Sequence, residues 1–363
     1  MRRHWQRRPL LIRGAIERDA LPGPSPKELF ALAARDDVES RMVRGAGGAG
    51  RSCTLEHGPF SRLPSRRTRD WTLLVQGANL RHEGCAALLE RFRFVPDARL
   101  DDVMVSFAGD GGGVGPHLDS YDVFLLQLHG RRRWRIGKPT DLSLVEGAPL
   151  KILRRFEPTA EWVLEPGDML YLPPRIAHDG VALGECMTAS VGFRAPSNSE
   201  LLAGFHGHLA DAADVPGIYS DRGLAATSHP ARLPQRMVDA LETLLERRRA
   251  TRADMVEFLG CSLSEPKPQV WFTSPSPALQ VREFARRARG RGLRVDARTI
   301  MLYSGRRLFV NGEPVVAPPT AALRHLADRR RLSPSECAAA ILDSGALALL
   351  HEWHAAGWLH FAA

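Results

Sequence analysis

The chain has 363 residues, of which 44% are hydrophobic and 25% charged, which excludes a disordered, collagen-like or coiled-coil protein and leaves room for two or three domains. Its 50 Lys and Arg against 41 Asp and Glu give a net charge of +9, a balance compatible with nucleic acid or an acidic surface as partner. Only four of the basic residues are lysines (Lys27, Lys138, Lys151 and Lys267), so the excess reads as an arginine bias and not as a basic tail.

Residues 26–35, with Ser25 as N-cap, and residues 84–95 carry apolar side chains at helical spacing. From about 101 to 195 the texture changes to short β-rich runs divided by Gly and Pro, as in an antiparallel barrel or sandwich. Gly130 and the arginines after it suggest a hairpin whose return strand sets Trp134 and Ile136 on the face opposite Arg133 and Arg135. After Pro196 the pattern is helical, and in 231–249 Met237, Leu241, Leu244 and Leu245 form one apolar face that must bury against something. Residues 263–279, rich in Pro and Ser, read as a linker. The remainder is a small module with helix and strand signals, an Asn311-Gly312 turn of type I′, two helices in 319–356 and a Ser333/Glu336 capping box, compatible with a winged helix.

The five cysteines (Cys53, Cys85, Cys186, Cys261 and Cys337) are scattered with no C-x-x-C pair, which argues against a disulfide framework or structural zinc. Cys186 is expected in the core. No apolar run approaches the roughly 20 residues of a membrane span, and a cytoplasmic protein is expected.

The chemistry lies in 109–124, GDGGGVGPHLDSYDVF. His117 and Asp119, two apart in a strand, project to one face and supply two ligands of a facial triad around a divalent iron. His178, after the Pro173-Pro174 turn, is the candidate third ligand. The glycines before His117 would let backbone approach a ligand or substrate. His-x-Asp alone occurs by chance in many chains; its weight here comes from His178 and from Arg132. A triad of this kind commonly recruits 2-oxoglutarate, whose far carboxylate needs a cationic fork such as Arg132. His129, His206 and His208 read as surface histidines, and the arginine clusters at 247–252, 286–294 and 329–331 as solvated helix faces, with RNA contact the alternative.

Taken together, RHWQRRPLLIRGA (3–15), HGPFSRLP (57–64), WTLLVQGAN (71–79), GGGVGPHLDSYDVFLLQ, GRRRWRIG, EPGDMLYLPPRIAHDG and SVGFRAPS resemble the JmjC/cupin-type 2-oxoglutarate oxygenases. Within them the likeness is to the bacterial ribosomal oxygenases that hydroxylate an arginine of large-subunit ribosomal protein L-sixteen. The resemblance implies a mixed α and β protein: a double-stranded β-helix, the cupin or JmjC jelly roll, over 1–196, a helical dimerisation region over 197–262, the linker 263–279 and a winged-helix-like module over 280–363. It implies Fe(II) on His117, Asp119 and His178, with 2-oxoglutarate and dioxygen as co-substrates. Arg132 would hold the far carboxylate, while Ser106, Thr188 and Ser190 are further co-substrate contacts. The substrate guanidinium would be met by Asp110, Tyr121 or Asp122, Asp110 being preferred at the mouth of the Gly loop. The implied reaction is 3-hydroxylation of a ribosomal-protein arginine by a homodimer. The alternatives are a JmjC-type oxygenase acting on another residue, such as histidine, and a non-catalytic ribosome-binding protein.

Overall fold

The structure is a computed structural model and describes residues 1–45, 53–212, 217–220, 222–223, 225–247 and 249–362. Among the described residues, ten strands build the first part: β1 (Leu10–Ile12), β2 (Ser40–Arg44), β3 (Thr54–His57), β4 (Trp71–Val75), β5 (Leu100–Ala108), β6 (His117–Leu118), β7 (Val123–Gly137), β8 (Ala160–Leu164), β9 (Met169–Leu172) and β10 (Ala177–Phe193). Their order is β1-β9-β7-β10-β5-β4-β2-β3, with β6 also on β10 and β8 also on β7. Helices α1 (Pro26–Ala33) and α2 (Glu83–Glu90) follow the sequence expectation. Ser25 caps α1 through a capping box with Glu28, satisfying two orphan backbone donors. Both helices press Leu29, Ala33, Cys85 and Leu88 onto the outer face of the large sheet, where they meet Trp71, Phe107 and Phe193.

The expected hairpin at Gly130 does not form. β7 and β10 are single long strands, paired at Gly192–Val123 through Thr188–Gln127 and again at Leu183–Arg131 through Ala177–Gly137. Between the two stretches the register shifts twice: residues 184–186 of β10 stand against Gly130 alone, and Leu128 is an extra residue of β7 between the pairs Met187–His129 and Thr188–Gln127. Such a bulge moves every later side chain to the other face. Before it, Val123 and Leu125 point inward and Phe124 and Leu126 outward; after it, Trp134 and Ile136 point inward. Gly130, at φ +60°, takes up the turn of the bulge, and a Cβ there would stand 2.1 Å from the Glu185 carbonyl oxygen. The strand therefore continues where the sequence suggested reversal.

Beyond β10 come α3 (Asn198–Asp211), capped by Ser197 and Glu200, then α4 (Gln235–Arg247) and α5 (Arg252–Ser264). Met237, Leu241, Leu244 and Leu245 are 42–64% exposed, so the apolar face of α4 lies open on this chain. The C-terminal module contains α6 (Val281–Arg291), β11 (Leu293–Val295), β12 (Met301–Ser304), β13 (Arg307–Val310), β14 (Glu313–Val315), α7 (Ala321–Arg329), β15 (Arg331–Leu332), α8 (Pro334–Ala340), α9 (Ser344–Ala355) and β16 (Leu359–Phe361). Three helices, not two, occupy 319–356, because Ser333 and Asp343 each cap a new one. Asn311 and Gly312 both have positive φ between β13 and β14, as a type I′ turn requires. The helix α5 packs on this module, with Gly260 against the ring of Phe309.

The module is seated on the barrel. Arg93 donates to the carbonyls of Ala327 (2.8 Å) and Asp328 (2.6 Å), and Arg330 lies 3.5 Å from Glu90.

Candidate active site

The pairing of β6 with β10 sets His117 opposite His178, with their ring centroids 4.3 Å apart. Asp119 follows β6, and its carboxylate reaches to 3.7 Å from His178 Nε2. Ligand atoms of His117, Asp119 and His178 all lie within 4.8 Å of one another. Each imidazole is held through Nδ1 by the carbonyl two residues earlier, Gly115 at 2.9 Å and Ile176 at 3.1 Å. A carbonyl only accepts, so Nδ1 carries the proton and Nε2 keeps its lone pair for a metal. Burial and the neighbouring His117 push the His178 pKa down to about 3, so its ring stays neutral at physiological pH. Burial raises the Asp119 pKa against the pull of His117, which marks a carboxylate short of positive charge. Two imidazoles, each with Nε2 turned away from its backbone hydrogen bond, and one carboxylate with an open side fit a divalent first-row metal.

The triad lines a cavity of about 290 Å³ bounded by both halves of the barrel. Arg132 lines it too, only 5% exposed. Its Nε donates to Cys186 Sγ at 3.4 Å, its guanidinium lies 5.7 Å from the Trp134 ring, and Nη2 has no partner among the described residues. Cys186 is thus buried as expected, but against the guanidinium. A buried cation with an unpartnered donor is costly, and an anionic ligand would remove the cost. This fits the carboxylate of a co-substrate.

Ser106 and Ser190 line the same cavity from β5 and β10. Thr188 does not: its hydroxyl is used on Gln127 Oε1 at 3.0 Å. Tyr121 lines the cavity beside Asp119. Asp122 points the other way, because alternation sends 121, 123 and 125 inward; it is fully buried, accepting from Tyr171 (2.6 Å) and Gln6 (3.0 Å). Asp110 stands outside the cavity lining, paired with Arg69 and accepting from the Gly184 N–H at 2.8 Å. The glycines beside it serve a purpose other than the expected approach to a ligand. Added Cβ atoms at Gly109, Gly112 and Gly113 would strike the carbonyl oxygens of Thr68, Trp71 and Gly180, so the loop is packed against the protein's own backbone.

The sequence reading did not single out Asp101 and Asp102. Both face the cavity, with Gln76 and Met104 alongside. The pairs Val191–Val103 and Phe193–Leu100 leave Asp101 and Asp102 together opposite Gly192, a bulge that aims two consecutive carboxylates the same way. One end of the cavity therefore carries two carboxylates, with Arg41 also on its lining, 3.4 Å from Gln76 Oε1.

Comparison with known proteins decides the family. A JmjC domain model matches residues 87–201 and a ROXA-like winged-helix model matches 247–360. The chain is 37% identical, over 96% of its length and 93% of the other, to the ribosomal protein uL16 3-hydroxylase of Escherichia coli K12. The chain belongs to the JmjC-domain ribosomal oxygenases. The X-ray structure of the E. coli protein YcfD superposes with a TM-score of 0.85 at 36% identity, covering 99% of this chain and 96% of that one. A second structure, titled as the E. coli ribosomal oxygenase in complex with cobalt and 2-oxoglutarate, gives 0.82 at 35% identity, covering 100% and 97%. The ribosomal oxygenase fold accounts for both modules, the jelly roll and the winged helix.

Proposed function

We propose that this ribosomal oxygenase uses Fe(II), 2-oxoglutarate and dioxygen to hydroxylate the β-carbon of an arginine in ribosomal protein uL16. The observation that carries the reading is the joint presence, in one cavity, of the two-imidazole and carboxylate triad and of a buried arginine with a donor to spare. His117, Asp119 and His178 would hold the metal through the two imidazoles and the carboxylate. Bound there, iron and 2-oxoglutarate would supply the oxidising power, with one atom of dioxygen going into the substrate C–H bond and the other into the succinate released with carbon dioxide.

The chain's own residues position and shield. Arg132 anchors the far carboxylate of 2-oxoglutarate, with Ser106 and Ser190 as hydroxyl contacts and Thr188 supporting through Gln127. Val114, Val123, Leu125, Trp134 and Leu150 form apolar walls that keep water from the reacting carbon. Tyr121, Asp101 and Asp102 receive the substrate guanidinium, matching its charge within a basic protein. Asp110, 40% exposed in its side chain, offers a secondary contact outside the cavity if the peptide displaces Arg69.

The open apolar face of α4 suits a second copy of the chain, giving a homodimer; a monomeric mass in light scattering would reject it. The C-terminal module is read as a winged helix that includes α5, working in the cytoplasm on a protein substrate, with nucleic acid contact as an additional role.

Incubation of purified uL16 with the enzyme, Fe(II) and 2-oxoglutarate, followed by intact-mass and fragment analysis, tests the reading. It expects the mass gain of one oxygen atom on a single arginine; a modified histidine would redirect it, and no 2-oxoglutarate turnover under any condition would sink it.

A further inference from the structure

The two carboxylates at one end of the cavity are held from behind. Asp101 and Asp102 form a wall shared by the active-site cavity and by a second, narrow cavity of about 90 Å³ between the barrel and the C-terminal module. Lys267 lines only the second one. It belongs to the segment between α5 and α6, between Pro266 and Pro268, whose rings restrict the backbone that carries it. Its ammonium stands 3.1 Å from Asp101 Oδ1 and 3.1 Å from Asp102 Oδ2.

The oxygens of Asp102 are used unequally. Oδ2 accepts from Lys267, from Gln76 Nε2 at 2.9 Å and from the Gly77 N–H at 2.9 Å. Oδ1 has no protein donor among the described residues and lies 3.7 Å from the place a Cβ on Gly192 would take, at the cavity wall. Two adjacent carboxylates in a partly buried wall repel; Arg194 Nε comes only to 4.0 Å from Asp101 Oδ1, whereas Lys267 touches both and offsets the repulsion. The position holds one of the chain's four lysines, a compact charge able to bridge two carboxylates, where arginine is the rule elsewhere.

We propose that Lys267 is a positioning residue for substrate recognition: reaching across from the segment that leads to the winged helix, it fixes Asp101 and Asp102 so that their free oxygens face the substrate guanidinium. This rests on the arginine-hydroxylase reading above. It ties the seating of the C-terminal module to peptide binding and leaves the iron and 2-oxoglutarate end of the cavity alone.

The test is steady-state kinetics of the full-length enzyme with an arginine peptide of the substrate loop, and peptide binding with that peptide and one carrying neutral citrulline at the target position. Lys267→Met is expected to raise KM for the arginine peptide about ten-fold, with kcat and peptide-free succinate formation within about two-fold of wild type. Affinity for the citrulline peptide should not change, and Lys267→Arg, which keeps the charge, should recover most of the loss. An unchanged or lower KM in Lys267→Met, or an equal loss on both peptides, overturns the proposal. Lys267→Gln carries the same comparison if the Met variant does not fold. If the wild type itself hydroxylates no arginine peptide, the parent reading fails, an outcome distinct from wild-type behaviour of the variants.

Discussion

The guanidinium of Arg132 donates through Nε to Cys186 Sγ at 3.4 Å, while its Nη2, also buried, has no partner among the described residues. A sulfur atom is a weak acceptor, so the chain bears the desolvation of this cation without a carboxylate to offset it. An anionic ligand at this point would recover the stability that such burial costs.

Replacement of Arg132 by Met should therefore separate function from folding. The KM for 2-oxoglutarate is expected to rise by about 100-fold, since a charge-assisted pair is lost. The thermal midpoint without ligand should stay level or rise, because an unpaired buried charge is removed. A fall of several degrees, with 2-oxoglutarate affinity intact, would assign Arg132 to structure.

Gly130→Ala probes the bulge. Its Cβ would meet the Glu185 carbonyl at 2.1 Å, and φ is +60°, so a loss of about 2 kcal/mol is expected in urea unfolding. Because Arg132 stands two residues on, 2-oxoglutarate affinity should weaken with it, while Gly147→Ala, also at positive φ but with open space around it, should leave that affinity alone.

The C-terminal module carries its own acid sensitivity. Burial opposes ionisation of Asp296, but hydrogen bonds from Arg298 and His360, the latter at 2.7 Å, override it and hold the carboxyl well below its usual range. A depressed carboxylate pKa contributes stability that is complete above the unfolded value, about 3.9, and is lost as pH falls through the folded one. Urea midpoints followed by the fluorescence of Trp353 and Trp358 should drop below about pH 4, and Asp296→Asn should lower the midpoint at pH 7 while flattening that acid-side slope. An unchanged slope in the variant would place the acid sensitivity in other groups.

These results mark where the sequence is informative. His117 and Asp119 are two apart on a strand, and His178 falls opposite His117, so local spacing and one cross-strand pair suffice to find them. Capping at Ser25 and Ser333 and the turn at Asn311-Gly312 are likewise local chemistry. The inward set of β7 is different: it changes phase at Leu128 because the partner strand skips a residue there, and Gly130, which marks the irregularity, suits a hairpin turn as readily as a bulge. The same blindness hid Asp101 and Asp102, since alternation allows only one of two neighbours to face inward and the bulge opposite Gly192 admits both. Asp122 was lost to the converse error: its place beside the triad in sequence is a place behind the sheet in space.

The two long strands also act as a gauge. Arg132 pairs with Ala182, four residues along β10 from His178, so their backbones are about 13 Å apart on one antiparallel ladder. That interval cannot stretch without slipping every pair between them. A dicarboxylate one carbon shorter or longer than 2-oxoglutarate should thus find one of its two ends misplaced, and the enzyme would measure its co-substrate by length as well as by charge.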